Sequence, residues 1–182
     1  LIHGDHLSAL LQNAAARPNG ATVFAYQVRD PERYGVVSFD GDGKATEIVE
    51  KPQNPKSNWA VIGLYFYDRQ VSALAPTIVP SPRGELEITD LNRLYLEQGT
   101  LRVERLSRGS AWLDAGTPDS LLQAATYVQT IQSRTGMLVG CPEEAAFRMG
   151  FIDRDQLRAQ ASRLGKTELG RVLTELADGA AA

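Results

Sequence analysis

Apolar residues near the start of the chain fall at Leu7, Leu10, Leu11 and Ala14, the i, i+3, i+4, i+7 spacing of an amphipathic helix, which Pro18 and Gly20 then end. The period changes after that. Residues 21–28 form a β-rich run, Arg29-Asp30-Pro31-Glu32-Arg33 is a charged loop, and residues 34–39 form a second run. The turn signal Asp40-Gly41-Asp42-Gly43 predicts that residues 46–50 return antiparallel to that run. Pro52, which cannot donate to a ladder, stops the returning strand just after Glu50-Lys51. The β-branched and aromatic run over 59–67 reads as a buried strand. Residues 69–79 predict a short helix interrupted at Pro76. Residues 85–99 predict a helix with acidic residues in its first turns, where the helix dipole favours them, and residues 101–106 a further strand.

A short apolar strand over 111–114 ends on Asp114, and Thr117 as N-cap with Pro118 behind it starts a helix through Leu121, Leu122, Ala125, Val128 and Ile131. The rest is helical, over 142–149, 153–164 and 167–177. Leu157, Ala161 and Leu164 make one apolar stripe, and Leu169, Val172, Leu173 and Leu176 make another. No internal repeat is present, and no hexapeptide period follows Gly136. The expected organisation is therefore one mixed α/β body over residues 1–135 and a helical lobe over 136–182.

Composition narrows the classes without naming one. At 182 residues, 43% hydrophobic and 23% charged, the chain has the make-up of a globular protein with one substantial core. A formal charge of −3 argues against a nucleic-acid footprint, which needs clustered Lys and Arg, but a small anionic substrate needs only a few placed cations. The single Cys141 excludes an internal disulfide and fits a reducing, cytoplasmic setting. No apolar run approaches the roughly 20 residues that span a bilayer. The chain starts at Leu1 rather than Met.

Candidate chemistry gathers at element ends. Glu50-Lys51-Pro52 places a carboxylate and an ammonium at a strand tip, either as a solvated end or as the strand-end position where open α/β sheets bind ligands. Gly35 opens a strand directly after Tyr34; a bulge or the close approach of a ligand to the backbone would each explain it. Arg83 stands just before a predicted helix start, as a solvated cation or an anion clamp. Asp114 suits Mg²⁺, which binds through one or two carboxylates plus substrate phosphates, and equally suits a capping role. His3, Asp5 and His6 share one short turn and read as solvated turn residues rather than metal ligands.

Seven blocks stand in order along the chain: Tyr34-Gly35-Val36-Val37; Val49-Glu50-Lys51-Pro52; Lys56-Ser57-Asn58; Ala60 through Asp68; Pro82 through Asp90; Trp112-Leu113-Asp114-Ala115-Gly116-Thr117; and Cys141-Pro142-Glu143-Glu144. Together they resemble the glucose-1-phosphate thymidylyltransferases. The resemblance implies a mixed-sheet, Rossmann-like nucleotidyltransferase core with a helical C-terminal lobe. It also implies a Mg²⁺-dependent reaction in which dTTP and glucose 1-phosphate give dTDP-glucose and pyrophosphate for deoxysugar synthesis. Carried over, Glu50 would accept hydrogen bonds from sugar hydroxyls, and Lys51 and Arg83 would act on the sugar phosphate. Tyr34, Gly35, Val61 and Trp112 would line the substrate pocket, and Asp114 would be one of two Mg²⁺ carboxylates.

The resemblance further implies a regulatory nucleotide site at Gly4, Arg108, Gly109, Glu144 and Arg148, although Ser8 and Ala145 depart from the family pattern there. It implies a homotetramer, for which the Leu157 and Leu169 stripes are the expected contact surfaces because too little chain is left to bury both. The family's glycine-rich nucleotide loop and its second metal aspartate are not in the sequence. The chain is accordingly expected to be the C-terminal portion of such an enzyme, inactive alone. A uridylyltransferase-type relative and a non-catalytic regulatory subunit are the alternatives.

Overall fold

Val23, Ala25, Val37, Ile48 and Val61 belong to stretches far apart in sequence, yet they form one buried cluster. Strands bring them together in the computed structural model, which describes residues 1–4 and 6–179; Asp5, and with it any role in a turn or metal site, lies outside the described residues. In chain order the elements are β1 (Ile2–His3), α1 (Leu7–Ala15), β2 (Ala21–Gln27), β3 (Gly35–Phe39), β4 (Ala45–Glu50), β5 (Trp59–Tyr67) and α2 (Val71–Leu74). There follow α3 (Ile88–Glu97), β6 (Leu101–Arg105), β7 (Ala111–Trp112), α4 (Pro118–Thr135), α5 (Pro142–Arg148), α6 (Arg154–Leu164) and α7 (Glu168–Ala177). Two compact units divide the chain, Leu1–Ser120 and Leu121–Ala182. Nearly all of α4 thus groups with the second unit, whereas the expected boundary near residue 135 left it in the first.

The first unit is built on a mixed sheet in the order β4-β3-β5-β2-β6. Only β2 and β6 run parallel; the other neighbours are antiparallel. Both faces are covered. Val23 and Ala25 point into the cluster flanked by Leu96 of α3, while Phe24 and Ile62 pack with Ala14, Leu7, Leu10 and Leu11 from α1. Burial on both faces explains why residues 21–25 are apolar almost throughout rather than alternating. Strand β5 is buried only at Ala60, Val61 and Ile62; Gly63 is exposed and the residues after it are half-buried. The pairing explains this: β3 meets β5 only at Trp59 and Ala60, and beyond them the β3-side edge of β5 has no strand partner among the described residues. A separate two-stranded ladder joins β1 to β7.

Two helices differ from expectation. The helix after Arg83 starts at Ile88 with Glu87 as its N-cap, so Asp90 is the acidic residue of its first turn and Arg83 sits in a loop further upstream. Glu87 is buried and accepts a hydrogen bond from the Ser81 hydroxyl, which holds the loop instead of extending the helix. The 69–79 helix shortens to α2 with a 3-10 turn over Ala75–Thr77.

In the second unit Asp153 and Gln156 form a reciprocal capping box at the start of α6, and Thr167 caps α7. Leu157, Ala161, Leu173, Leu176 and Ala177 bury one another between these helices. Gly170 allows the close approach: a Cβ there would lie 2.7 Å from the Gly165 carbonyl oxygen and 3.1 Å from that of Ala161. The two apolar stripes therefore satisfy each other inside the chain, which removes them as an argument for oligomer contacts.

Candidate active site

The antiparallel register sets Gly35 opposite Glu50 at the open end of the β3–β4 hairpin. One residue on, the Lys51 N–H donates to the Tyr34 carbonyl at 3.0 Å, and Lys51 adopts φ +41°, in the left-handed region that side chains avoid. Thr89, buried in the first turn of α3, donates its hydroxyl proton to Glu50 Oε2. Gly35 lies under this pair. A Cβ at Gly35 would stand 2.8 Å from Thr89 Oγ1, 3.1 Å from Glu50 Oε2 and 4.0 Å from Val61 Cβ. The ladder shifts register between Ser38 and Phe39, so the glycine marks a close approach rather than a bulge, and the group that approaches is the Thr89–Glu50 pair. Burial pushes the nearby Tyr65 hydroxyl up from its ordinary pKa, and the Glu50 carboxylate adds to the shift.

Glu50, Lys51 and Arg83 line one cleft of about 770 Å³ between the end of β4, the 77–83 loop and α3, together with Glu87, Asp90 and Arg93. Arg83 is engaged. Its Nη2 is bonded to Glu85 Oε2 and its Nε lies 3.7 Å from Glu87 Oε1. The hydrogen bond it donates to Glu85 is the chief reason the guanidinium is held above its ordinary pKa. An anion entering the cleft would meet three cations, of which Arg83 and Arg93 are each already paired with a carboxylate.

Tyr34, Trp112 and Asp114 form a second group, joined to the first through the Tyr34–Gly35 peptide. The Tyr34 and Trp112 rings meet edge-on with centroids 4.9 Å apart, and Trp112 also touches Tyr26. Arg33 connects the group: its guanidinium sits 5.4 Å from the centre of the Tyr34 ring, 2.8 Å from Asp30 Oδ2 and 4.0 Å from Asp114 Oδ2. Burial raises the Tyr34 pKa, with Arg33 working against the shift.

Magnesium takes oxygen ligands and is commonly held by one or two carboxylates with substrate phosphates. Asp114 offers one such carboxylate, 34% exposed. Among the described residues no three His, Cys, Asp or Glu side chains gather into a metal cluster. The donor set fits a single protein ligand to a shared Mg²⁺.

The residues carried over for a regulatory site are split between the two units. In the first, Gly4 packs on Ser110, where a Cβ would lie 2.6 Å from the Ser110 Cα, so Gly4 adjoins the exposed Arg108-Gly109 turn. In the second, Glu144 and Arg148 pair with each other along α5 at 2.7 Å.

Two site residues escaped the sequence reading, Arg33 and Thr89. Arg33 lies in a charged loop whose only signal was adjacency to Tyr34, and Thr89 looked like an ordinary first-turn helix residue.

The nucleotidyl transferase family model matches residues 1–131. The chain is 56% identical over 177 residues to a glucose-1-phosphate thymidylyltransferase of Xanthomonas campestris pv. campestris (strain B100), covering 97% of this chain and 60% of that one. The protein of the same name from Neisseria gonorrhoeae is 49% identical, covering 97% and 61%. The one from Mycolicibacterium smegmatis is 54% identical over 160 residues, covering 88% and 56%. The chain thus spans about 60% of the length of the curated relatives it matches. Among solved structures, a Bacillus anthracis protein assigned as a glucose-1-phosphate thymidylyltransferase, crystallised in complex with a sucrose, superposes with a TM-score of 0.59 at 40% identity, covering 70% of this chain and 50% of that one.

Proposed function

This chain belongs to the nucleotidyl transferase family, and from that premise we propose that its full-length protein is a glucose-1-phosphate thymidylyltransferase to which these residues contribute the sugar-phosphate half of the site. The observation that carries the reading is the single cleft shared by Glu50, Lys51 and Arg83, a hydroxyl acceptor beside two phosphate-seeking cations. Glucose 1-phosphate places its hydroxyls against Glu50 and its phosphate between Lys51 and Arg83. A phosphate oxygen then attacks the α-phosphorus of dTTP in line; the new P–O bond forms as the bond to the bridging oxygen breaks and pyrophosphate leaves. Two polyanions must meet for this, so charge neutralisation and alignment supply most of the acceleration. Tyr34, Gly35, Val61 and Trp112 would meet the sugar from beside the cleft, whose own lining does not include them. Asp114 would hold a Mg²⁺, which when bound neutralises charge on the phosphates.

The finer points of the reading are a cytoplasmic homotetramer, a regulatory nucleotide role for Gly4, Arg108 and Gly109 in the first unit and for Glu144 and Arg148 in the second, and no activity of this chain by itself. The test is pyrophosphate release by the full-length protein from glucose 1-phosphate with dTTP or UTP, with and without Mg²⁺. Turnover with dTTP that needs Mg²⁺ supports the proposal; a preference for UTP would transfer the protein to the uridylyltransferases, and no turnover with either nucleotide would refute it.

A further inference from the structure

Deepening the proposed sugar-phosphate reading, on which it rests, we infer that Thr89 is a positioning residue that fixes the Glu50 carboxylate and through it sets discrimination among sugar phosphates. Thr89 is 2% exposed, and its hydroxyl donates to Glu50 Oε2, thirty-nine positions away in sequence. A threonine has one hydroxyl proton, so the proton spent on Glu50 is not available to a sugar. Nor is the hydroxyl serving its own helix: the N-cap of α3 is Glu87, which makes no side-chain cap, and the bond from Thr89 goes across to β4.

Gly35 leaves room for this bond: a Cβ there would stand 3.1 Å from Glu50 Oε2 and 2.8 Å from Thr89 Oγ1, so any side chain at that position would press on the pair. The carboxylate thus reaches a buried hydroxyl across a strand position kept bare. With Oε2 pinned, rotation about the terminal bond is lost and the direction of Oε1 is set as well. A site that presents an acceptor in a fixed direction rejects a hydroxyl in the wrong place far better than one whose acceptor can swing to follow it.

The test uses the full-length protein. Thr89→Val deletes the donor and keeps the β-branched shape; Thr89→Ser keeps the donor. Calorimetric titration with glucose 1-phosphate, galactose 1-phosphate and mannose 1-phosphate gives an affinity ratio for each variant. Wild type and Thr89→Ser should share one ratio, and Thr89→Val should narrow it about tenfold, the scale of a hydrogen bond to a charged acceptor. Ligand-free denaturation of Thr89→Val, Glu50→Leu, which removes the acceptor, and the double variant should show coupling of about tenfold in the unfolding equilibrium. Additive stabilities would overturn the pinning. Coupling with an unchanged ratio in Thr89→Val would overturn the positioning role alone, and coupling in a wild-type protein that binds none of the sugar phosphates would overturn the proposed function and the sugar role with it.

Discussion

The β3–β4 hairpin has two ends that solve the same backbone problem differently. At its turn, Asp40 Oδ1 accepts from the N–H groups of Asp42 and Lys44, and the one left-handed position falls on Gly43 at φ +79°. At the open end the left-handed position falls on Lys51, at φ +41°, just before a proline. A left-handed side chain costs roughly 1–2 kcal/mol, and glycine avoids the cost. Where the chain has only to turn, it uses the residue that turns freely; where Lys51 stands, strain is tolerated and the side chain is retained, in the cleft with Glu50 and Arg83. Under the proposed function, the difference falls at the end where the side chain is needed more than the bend.

The largest effect that could break this contrast is kinetic. In the full-length protein Lys51→Ala should lower kcat and kcat/KM together by about 10²-fold or more, because its charge is needed most as two phosphates approach. Lys44→Ala, at the turn end, should leave both within about twofold. Equal effects at the two ends would erase the distinction. Next in size, Glu50→Ala should raise KM for glucose 1-phosphate about tenfold with kcat little changed, since the sugar hydroxyls it meets alter little during reaction. A fall in kcat with constant KM would move Glu50 into the chemistry.

Stability sharpens the contrast on a smaller scale. Gly43→Ala should lose about 1 kcal/mol, whereas Lys51→Gly should be neutral or gain up to about 1 kcal/mol, both read from denaturant midpoints. A clear loss in Lys51→Gly would mean that Lys51 holds the fold and not only the ligand. The smallest effect belongs to the strand between the ends: Lys56 pairs with Glu47 at 2.9 Å in solvent, and Lys56→Met should shift stability by no more than about 0.5 kcal/mol.

The hairpin itself was legible because its signals are local: two short β-rich runs, an Asp-Gly turn and a terminating proline. The strain was not. A residue before proline is biased toward extended backbone, so the Lys-Pro pair argued against the left-handed geometry that the bond to the Tyr34 carbonyl imposes. Thr89 and Arg33 stayed hidden for a related reason, since one reaches across the fold to Glu50 and the other toward Asp114, and periodicity carries no information about such meetings. The C-terminal stripes show the same limit. Their spacing gave the helices correctly, but spacing names no partner, and Leu157 and Leu173 turned out to be buried in one cluster between α6 and α7.

Strand β5 carries a consequence of a different kind. At Val61 and again from Tyr65 to Tyr67 it pairs with β2 on one side, across a register shift, and on the other it presents backbone N–H and C=O groups to no strand among the described residues. Its side chains there are β-branched or aromatic at Val61, Ile62, Tyr65, Phe66 and Tyr67, with no charge or proline to blunt the edge. Such an edge is a template for intermolecular strand addition. Self-association by strand addition at this edge should rise with concentration and be reported by cross-β signal rather than by any loss of the helices.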